Sequence, residues 1–250
     1  MIFVTGDTHG EFTRLSGTHF PTGKSLCKDD CVIVLGDFGL WHDCPSERYR
    51  LDWLNDRPFT TLFVDGNHEN FDRLYSDEFE EVPYCGGVVH RVRDSVIHLE
   101  RGNVFKIQGR SFFVMGGASS HDVTGGIYQP GELTPHQKRR LTMAGLPYRI
   151  DHESWWHQEL PSDAELASGM RSLEQYGMNV DYVLSHCLPA SVQSVCGYGD
   201  HDILNEWFDQ MLESGLSFTR WYSGHYHQNV VIEAESRSYE VLYDRIKRIA

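Results

Sequence analysis

The chain has 250 residues, 40% apolar and 23% charged, enough to bury a sizeable core without disulfides. Its 22 Lys+Arg against 36 Asp+Glu leave a net charge of −14, which argues against gripping long nucleic acid and against docking on an anionic membrane. No apolar run approaches the ~20 residues of a membrane span. The six cysteines form no C-x-x-C pair and no leader-like segment opens the chain, so the sequence reads as a cytoplasmic protein with reduced thiols.

In chain order, one small phrase keeps returning. A short β-branched or aromatic run stops abruptly at Gly, Asp, Asn or His. Ile2–Thr5 stops at Gly6-Asp7, Val32–Leu35 at Gly36-Asp37, and Thr61–Val64 at Asp65-Gly66-Asn67-His68. Tyr182–Ser185 stops at His186, and Arg220–Ser223 at Gly224-His225. Continuous apolar runs of this length predict strands buried on both faces, with polar groups at their C-terminal ends. Helical spacing and caps predict helices over 46–55, with Ser46 as N-cap, 165–176 and 203–214. Alternation predicts hairpin strands over 88–92, 95–100 and 103–117, and a last pair over 229–234 and 239–243 with its turn at Glu235–Ser238. The whole reads as one mixed α/β domain over 1–250, two packed sheets with helices outside. Residues 120–179 are rich in Pro and Gly and poor in clean strands. They read as a long lid-like insertion that sets substrate choice.

The polar strand ends carry carboxylate, imidazole and amide groups, and no thiolate. That donor set suits hard-to-borderline divalent metals. In extended backbone, residues two apart share a face, so Asp7 with His9, and His225 with His227, are expected to converge pairwise. Adjacent Asn67 and His68 point apart and take different jobs. Seven donors exceed the need of one ion and suit two ions sharing a carboxylate.

The ordered set Asp7-x-His9-Gly10, Gly36-Asp37-x-Gly39, Gly66-Asn67-His68-Glu69, His186 and Gly224-His225-x-His227 resembles the calcineurin-like metallophosphoesterase superfamily. The resemblance implies a four-layer fold, a two-sheet β-sandwich flanked by helices. It implies two divalent metal ions, manganese first, with Fe, Zn or Ni as alternatives. Asp7, His9 and His227 would hold one and Asn67, His186 and His225 the other, with Asp37 bridging. A hydroxide between the metals would attack phosphorus, and His68 would be the general acid. The implied enzyme is a phosphoesterase acting on a phosphomonoester or phosphodiester of a small molecule, nucleotide or nucleic-acid end. The alternatives are a nuclease or cyclic-nucleotide phosphodiesterase of the same fold, or a non-catalytic scaffold.

Two departures separate the chain from the protein serine/threonine phosphatase branch. Leu40 and Trp41 stand where that branch has Asp and Arg, and Asp65 stands where it has the Arg before Gly66. Both usual phosphate-binding arginines are therefore missing, as is the acid partner of His68, for which Asp43 or Glu69 are the nearest candidates. The runs Gly116–Asp122, Ser154–Glu159 and Val180–His186 are similar to a bacterial and phage-associated group of small metallophosphoesterases. Substrate contacts are expected from Trp155, Trp156, Arg139, Arg140 and His121. The remaining histidines, 19, 42, 90, 98, 136, 152, 157 and 201, read as surface or hydrogen-bonded groups. Arg245–Arg248 reads as a solvated helix end.

Overall fold

The structure, a computed structural model, describes residues 1–199 and 201–250. A seven-stranded sheet runs in the spatial order Lys247–Arg248, Ile2–Thr5, Cys31–Leu35, Thr60–Val64, Val96–Leu99, Gly87–Arg93, Glu80–Tyr84. A six-stranded sheet runs Val230–Ala234, Arg237–Val241, Arg220–Ser223, Tyr182–Ser185, Arg110–Met115, Asn103–Ile107. The central strands of each sheet are parallel. Their C-terminal ends therefore gather along one edge of the sandwich.

The side-chain period of two explains the apolar runs. Ile2, Val4, Ile33 and Leu35 face Phe112, Val114, Leu184 and Tyr222 between the sheets. Phe3, Val32 and Val34 point the other way, onto Leu51 and Leu54 of the helix Pro45–Asn55. Phe113, Val183 and Trp221 back the second sheet against Leu166, Leu204 and Phe208 of the helices Asp163–Gln175 and Ile203–Glu213. Helix, sheet, sheet and helix make four layers, as expected.

Boundaries differ from expectation where capping chemistry decides them. The first helix begins at Pro45, and Ser46 does not cap it. The buried Glu47 carboxylate instead accepts the N–H groups of Trp41, His42 and Asp43 at 2.6, 2.9 and 3.2 Å. A capping box between Ser162 and Glu165 starts the next helix two residues early, at Asp163. The final hairpin resumes at Arg237, because Glu235 and Ser236 adopt positive φ and close a two-residue turn. Arg245–Arg248 is no helix end. Lys247–Arg248 pairs antiparallel with Phe3 and Val4 and closes that edge of the first sheet. The expected strands left out Glu80–Tyr84, a partly exposed edge strand that tolerates Pro83.

The stretch 120–179 divides in two. Its second part, the helix Asp163–Gln175, belongs to the helical layer, with Gly169 close against Met115 and Trp207. Its first part holds the two-residue parallel pair Ile127–Tyr128 and Arg149–Ile150 and the exposed helix Pro135–Met143.

A buried polar chain runs under the loop that carries Asn67. Arg101 Nε donates to Asp65 Oδ2 at 2.6 Å, and His98 Nε2 lies 3.1 Å from Asp65 Oδ1. His98 Nδ1 in turn lies 3.0 Å from His90 Nδ1. Asp65, the departure from the phosphatase pattern, is thus a structural anion with its own buried cation. Burial, then the neighbouring His98, hold the His90 imidazole down to about 4, against a smaller upward pull from Asp65. An unfolded His titrates near ~6.5. Between those values the unfolded chain binds more protons, so this contribution to stability is lost as pH falls through the window. Urea unfolding of His90→Phe should show a shallower loss of stability from pH 6.5 to 4 than the wild type. An unchanged slope would contradict the assignment.

Candidate metal centre

The five strand ends meet at the edge between the sheets. Asp7 follows Ile2–Thr5, Asp37 follows Cys31–Leu35 and Asn67 follows Thr60–Val64, while His186 and His225 follow two parallel strands of the second sheet. Two glycines leave the room this convergence needs. A Cβ on Gly66 would lie 2.1 Å from Asp37 Oδ1, and one on Gly224 2.3 Å from Asp7 Oδ1.

The backbone at these loops is not extended. His9, Asp37, His225 and His227 all have positive φ, between 46° and 69°. Four such residues in one centre hold strain that the surrounding packing has to maintain. The expectation from strand alternation therefore holds for one pair and fails for the other. Asp7 and His9 do converge, with 3.9 Å between Oδ2 and Nε2. His225 and His227 diverge, because the left-handed turn sends His227 Nε2 to within 3.1 Å of Asp7 Oδ2 and leaves the His225 ring against His186.

Asp37, buried, divides its two oxygens. Oδ2 lies 3.8 Å from His9 Nε2, and Oδ1 lies 3.4 Å from His186 Nε2 and accepts the His68 N–H at 2.8 Å. Among the described residues two tight donor groups result, Asp7 with His9 and His227, and Asp7 with Asp37 and His186. His225 lies in neither group. His186 Nδ1 donates to the Leu35 carbonyl at 2.7 Å, which turns Nε2 toward Asn67 Oδ1, 3.2 Å away. The charges are tightly coupled. Burial opposes ionisation of Asp37, but His186, His68 and His9 hold its carboxyl well below the usual range. Burial likewise works against charge on His186, and Asp37 overcomes it, pushing the imidazole up to about 9.

These residues fit divalent metal ions. Asp7 is fully buried, its Oδ1 accepts the His225 N–H at 2.9 Å, and its Oδ2 makes no well-aligned hydrogen bond, facing only the Nε2 atoms of His227 and His9 at 3.1 and 3.9 Å. A buried carboxylate oxygen without a well-aligned donor is costly unless a cation completes it. The nitrogen and oxygen donors around it, with no thiolate, are those such an ion takes.

Glu69 explains how the Asp37 loop is held. Its buried carboxylate accepts the N–H groups of Phe38, Gly39 and Leu40 at 2.6, 3.3 and 3.2 Å. Burial and the Asp37 charge push this carboxyl up to about 8, and the three N–H groups pull the other way. Neither Glu69 nor Asp43 orients His68, since Asp43 pairs with Arg48 at the surface.

The His68 ring lines a cavity of about 220 Å³ with Trp41, His42, Arg149, Glu153, Ser154 and Trp156. Burial lowers the His68 imidazole; Asp37 opposes this and Arg149 adds to it. Of the expected substrate residues, Trp156 is therefore beside His68, although it is largely buried and its Nε1 is spent on Asp72 Oδ2 at 2.7 Å. Trp155 is absent from that lining. Arg139 and Arg140 are exposed on the helix Pro135–Met143 and do not line the cavity. His121 reaches the centre, with Nε2 3.0 Å from His225 Nε2. Of the other histidines, His90 and His98 are buried and hydrogen-bonded, and the remaining six are exposed.

Sequence reasoning missed Arg149, Ser120 and Glu159. Arg149 is gripped by both oxygens of Asp122 through Nε, at 3.0 Å, and Nη2. It is the arginine that lines the cavity beside His68. No local pattern marks it, although its partner Asp122 ends the run Gly116–Asp122.

Residues 1–229 match the family model described as calcineurin-like phosphoesterase. No curated protein matches the chain. Among solved structures, a phosphopantetheinyl hydrolase from Mycobacterium tuberculosis is 16% identical, with a TM-score of 0.46 over 97% of this chain and 89% of that one. A chain described as a 5′-nucleotidase from Staphylococcus aureus is 16% identical, with a TM-score of 0.47 over 96% of this chain and 48% of its own, so this chain spans about half its length.

Glu69→Ala leaves three buried N–H groups without an acceptor, and each costs about 1–3 kcal/mol. Urea unfolding should show a loss of about 3 kcal/mol or more, with a loss under about 1 kcal/mol contradicting this role.

Proposed function

The chain belongs to the calcineurin-like phosphoesterase family and is a metal-dependent hydrolase, and on that premise we propose that it hydrolyses small phosphate esters at a dinuclear centre built on Asp37. The observation that carries this reading is the division of the Asp37 oxygens between His9 and His186. Asp7, His9 and His227 would hold one ion, Asn67, His186 and His225 the other, and Asp37 both. The donor set suits manganese, with Fe, Zn and Ni as competitors.

The chemistry supplied by two bound divalent ions is Lewis acidity at the phosphoryl oxygens and acidification of the attacking water, from a pKa of ~15.7 toward ~7. The chain supplies the rest. His68 holds a proton beside the leaving oxygen and passes it over as the P–O bond breaks, so the alcohol departs neutral. Arg149 has Nε and Nη2 committed to Asp122, and the guanidinium lines the cavity beside His68. In this reading it binds a phosphoryl oxygen or an anionic part of the leaving group. Exposed His227 and half-buried His9 and His68 form the open side, and buried Asp7, Asp37, Asn67 and His186 the floor. A substrate thus enters from the side where His68 stands.

The net charge of −14 fits small esters or nucleic-acid ends better than long nucleic acid. The presence of every motif donor argues against a scaffold that has lost its chemistry. Six free cysteines fit a reducing, cytoplasmic compartment. Among the described residues no helix is long and apolar enough to cross a membrane.

Metal-free protein titrated with Mn²⁺ should gain turnover on p-nitrophenyl phosphate or its bis ester, and Asp37→Asn should lose it. Turnover that persists in Asp37→Asn would refute the bridging role. His68→Ala should cost ~10²–10⁴-fold on an alkyl phosphate and much less on the nitrophenyl ester, whose leaving group needs no proton. Equal losses on both would remove His68 as the acid.

Losing one charge-assisted hydrogen bond costs about 1.5–3 kcal/mol. Arg149→Ala should therefore lower kcat/KM by ~10–100-fold at unchanged metal content, with Arg139→Ala close to wild type. The reverse pattern would return the anion-binding role to the exposed helix.

A further inference from the structure

Asn67 is gripped from outside the strand-end motifs. Its Nδ2 donates to Ser120 Oγ at 3.1 Å. Ser120 in turn gives both of its protons to one carboxylate, the backbone N–H to Glu159 Oε1 at 3.1 Å and the hydroxyl to Glu159 Oε2 at 2.6 Å. Asn67, Ser120 and Glu159 are all buried. Two further bonds fix the segment. The Ala118 N–H donates to the Glu159 carbonyl at 3.1 Å, and Ser119 donates through both N–H and Oγ to Asp202 Oδ2 at 3.1 and 2.7 Å.

We propose that Ser120 and Glu159 are a positioning relay that sets which end of the Asn67 amide faces the second metal position. The claim rests on the reading of Asn67 as a ligand. Both Glu159 carboxyl oxygens accept from Ser120, so the Ser120 hydroxyl proton is committed to Glu159. The serine oxygen is left with lone pairs and can bind only a donor. Of the two ends of the Asn67 amide, only the nitrogen donates. The nitrogen therefore turns to Ser120 and the carbonyl oxygen turns inward, to 3.2 Å from His186 Nε2. His186 Nδ1 is committed to the Leu35 carbonyl, so Nε2 is the ring atom on that side. Asn67 Oδ1, His186 Nε2 and Asp37 Oδ1 thus share one small region. A flipped amide would aim two N–H groups at a cation.

Partners of this kind are worth ~10–100-fold in metal affinity. The test is calorimetric titration of metal-free protein with Mn²⁺, which reads each ion without reference to turnover. Asn67→Ala marks which of the two binding events involves Asn67. Ser120→Ala should weaken that event by ~10–100-fold and leave the other within about twofold of wild type. If Ser120→Ala fails to fold, Glu159→Gln carries the same expectation, because its amide can donate to Ser120 Oγ and free the hydroxyl to donate toward Asn67. An unshifted event in the folded variant overturns the relay, and so does equal weakening of both events. A wild-type chain that takes up a single ion overturns the dinuclear reading, and the relay with it. Two ions in the wild type with no shift in Ser120→Ala overturn the relay alone.

Discussion

The Asp37 carboxylate is a buried negative charge that two sides of the molecule share. One oxygen faces His9, from the first strand end; the other faces His186, from the opposite sheet. Isolated, such a charge would cost several kcal/mol to bury. It is tolerated because imidazoles surround it and because the donor arrangement accommodates cations. The rest of the site maintains that one placement. Glu69 holds the three N–H groups that follow Asp37, and the His68 N–H fixes one of its oxygens. Gly66 provides the space in which that oxygen sits.

The fold makes the placement possible because parallel strands end on the same side. Hairpins put successive strand ends on opposite edges, whereas the parallel centre of each sheet collects them. Two such sheets packed face to face bring five loops to one mouth. The antiparallel strands are at the margins of each sheet and contribute no donor to the centre.

Much of this was legible in the sequence for a local reason. A strand buried on both faces has no polar positions, so its end is abrupt, and Gly-Asp or Gly-Asn-His marks it within a few residues. The paired sheets, their flanking helices and the strand-end donors follow from that signal. Features that depend on distant pairing were not legible. Ser120 meets Glu159 across 39 residues, and Asn67 across 53. Arg149 is set apart from exposed Arg139 and Arg140 by its grip on Asp122, 27 residues away in sequence. The alternation rule misjudged His225 and His227 because positive φ at both residues breaks the period of two. The Lys247–Arg248 strand is too short to have a period at all.

The segment between Ser120 and Glu159 enters the site at three separate points. Ser120 and Glu159 hold Asn67, His121 meets His225, and Arg149 lines the cavity beside His68. A cover that only screened substrates would touch the cavity and leave the donors alone. Here the side chains that shape the cavity and those that brace the donors share one backbone, anchored at Ser119 through Asp202 and at Ala118 through the Glu159 carbonyl. The segment is therefore built into the site's framework as well as into the wall of the cavity.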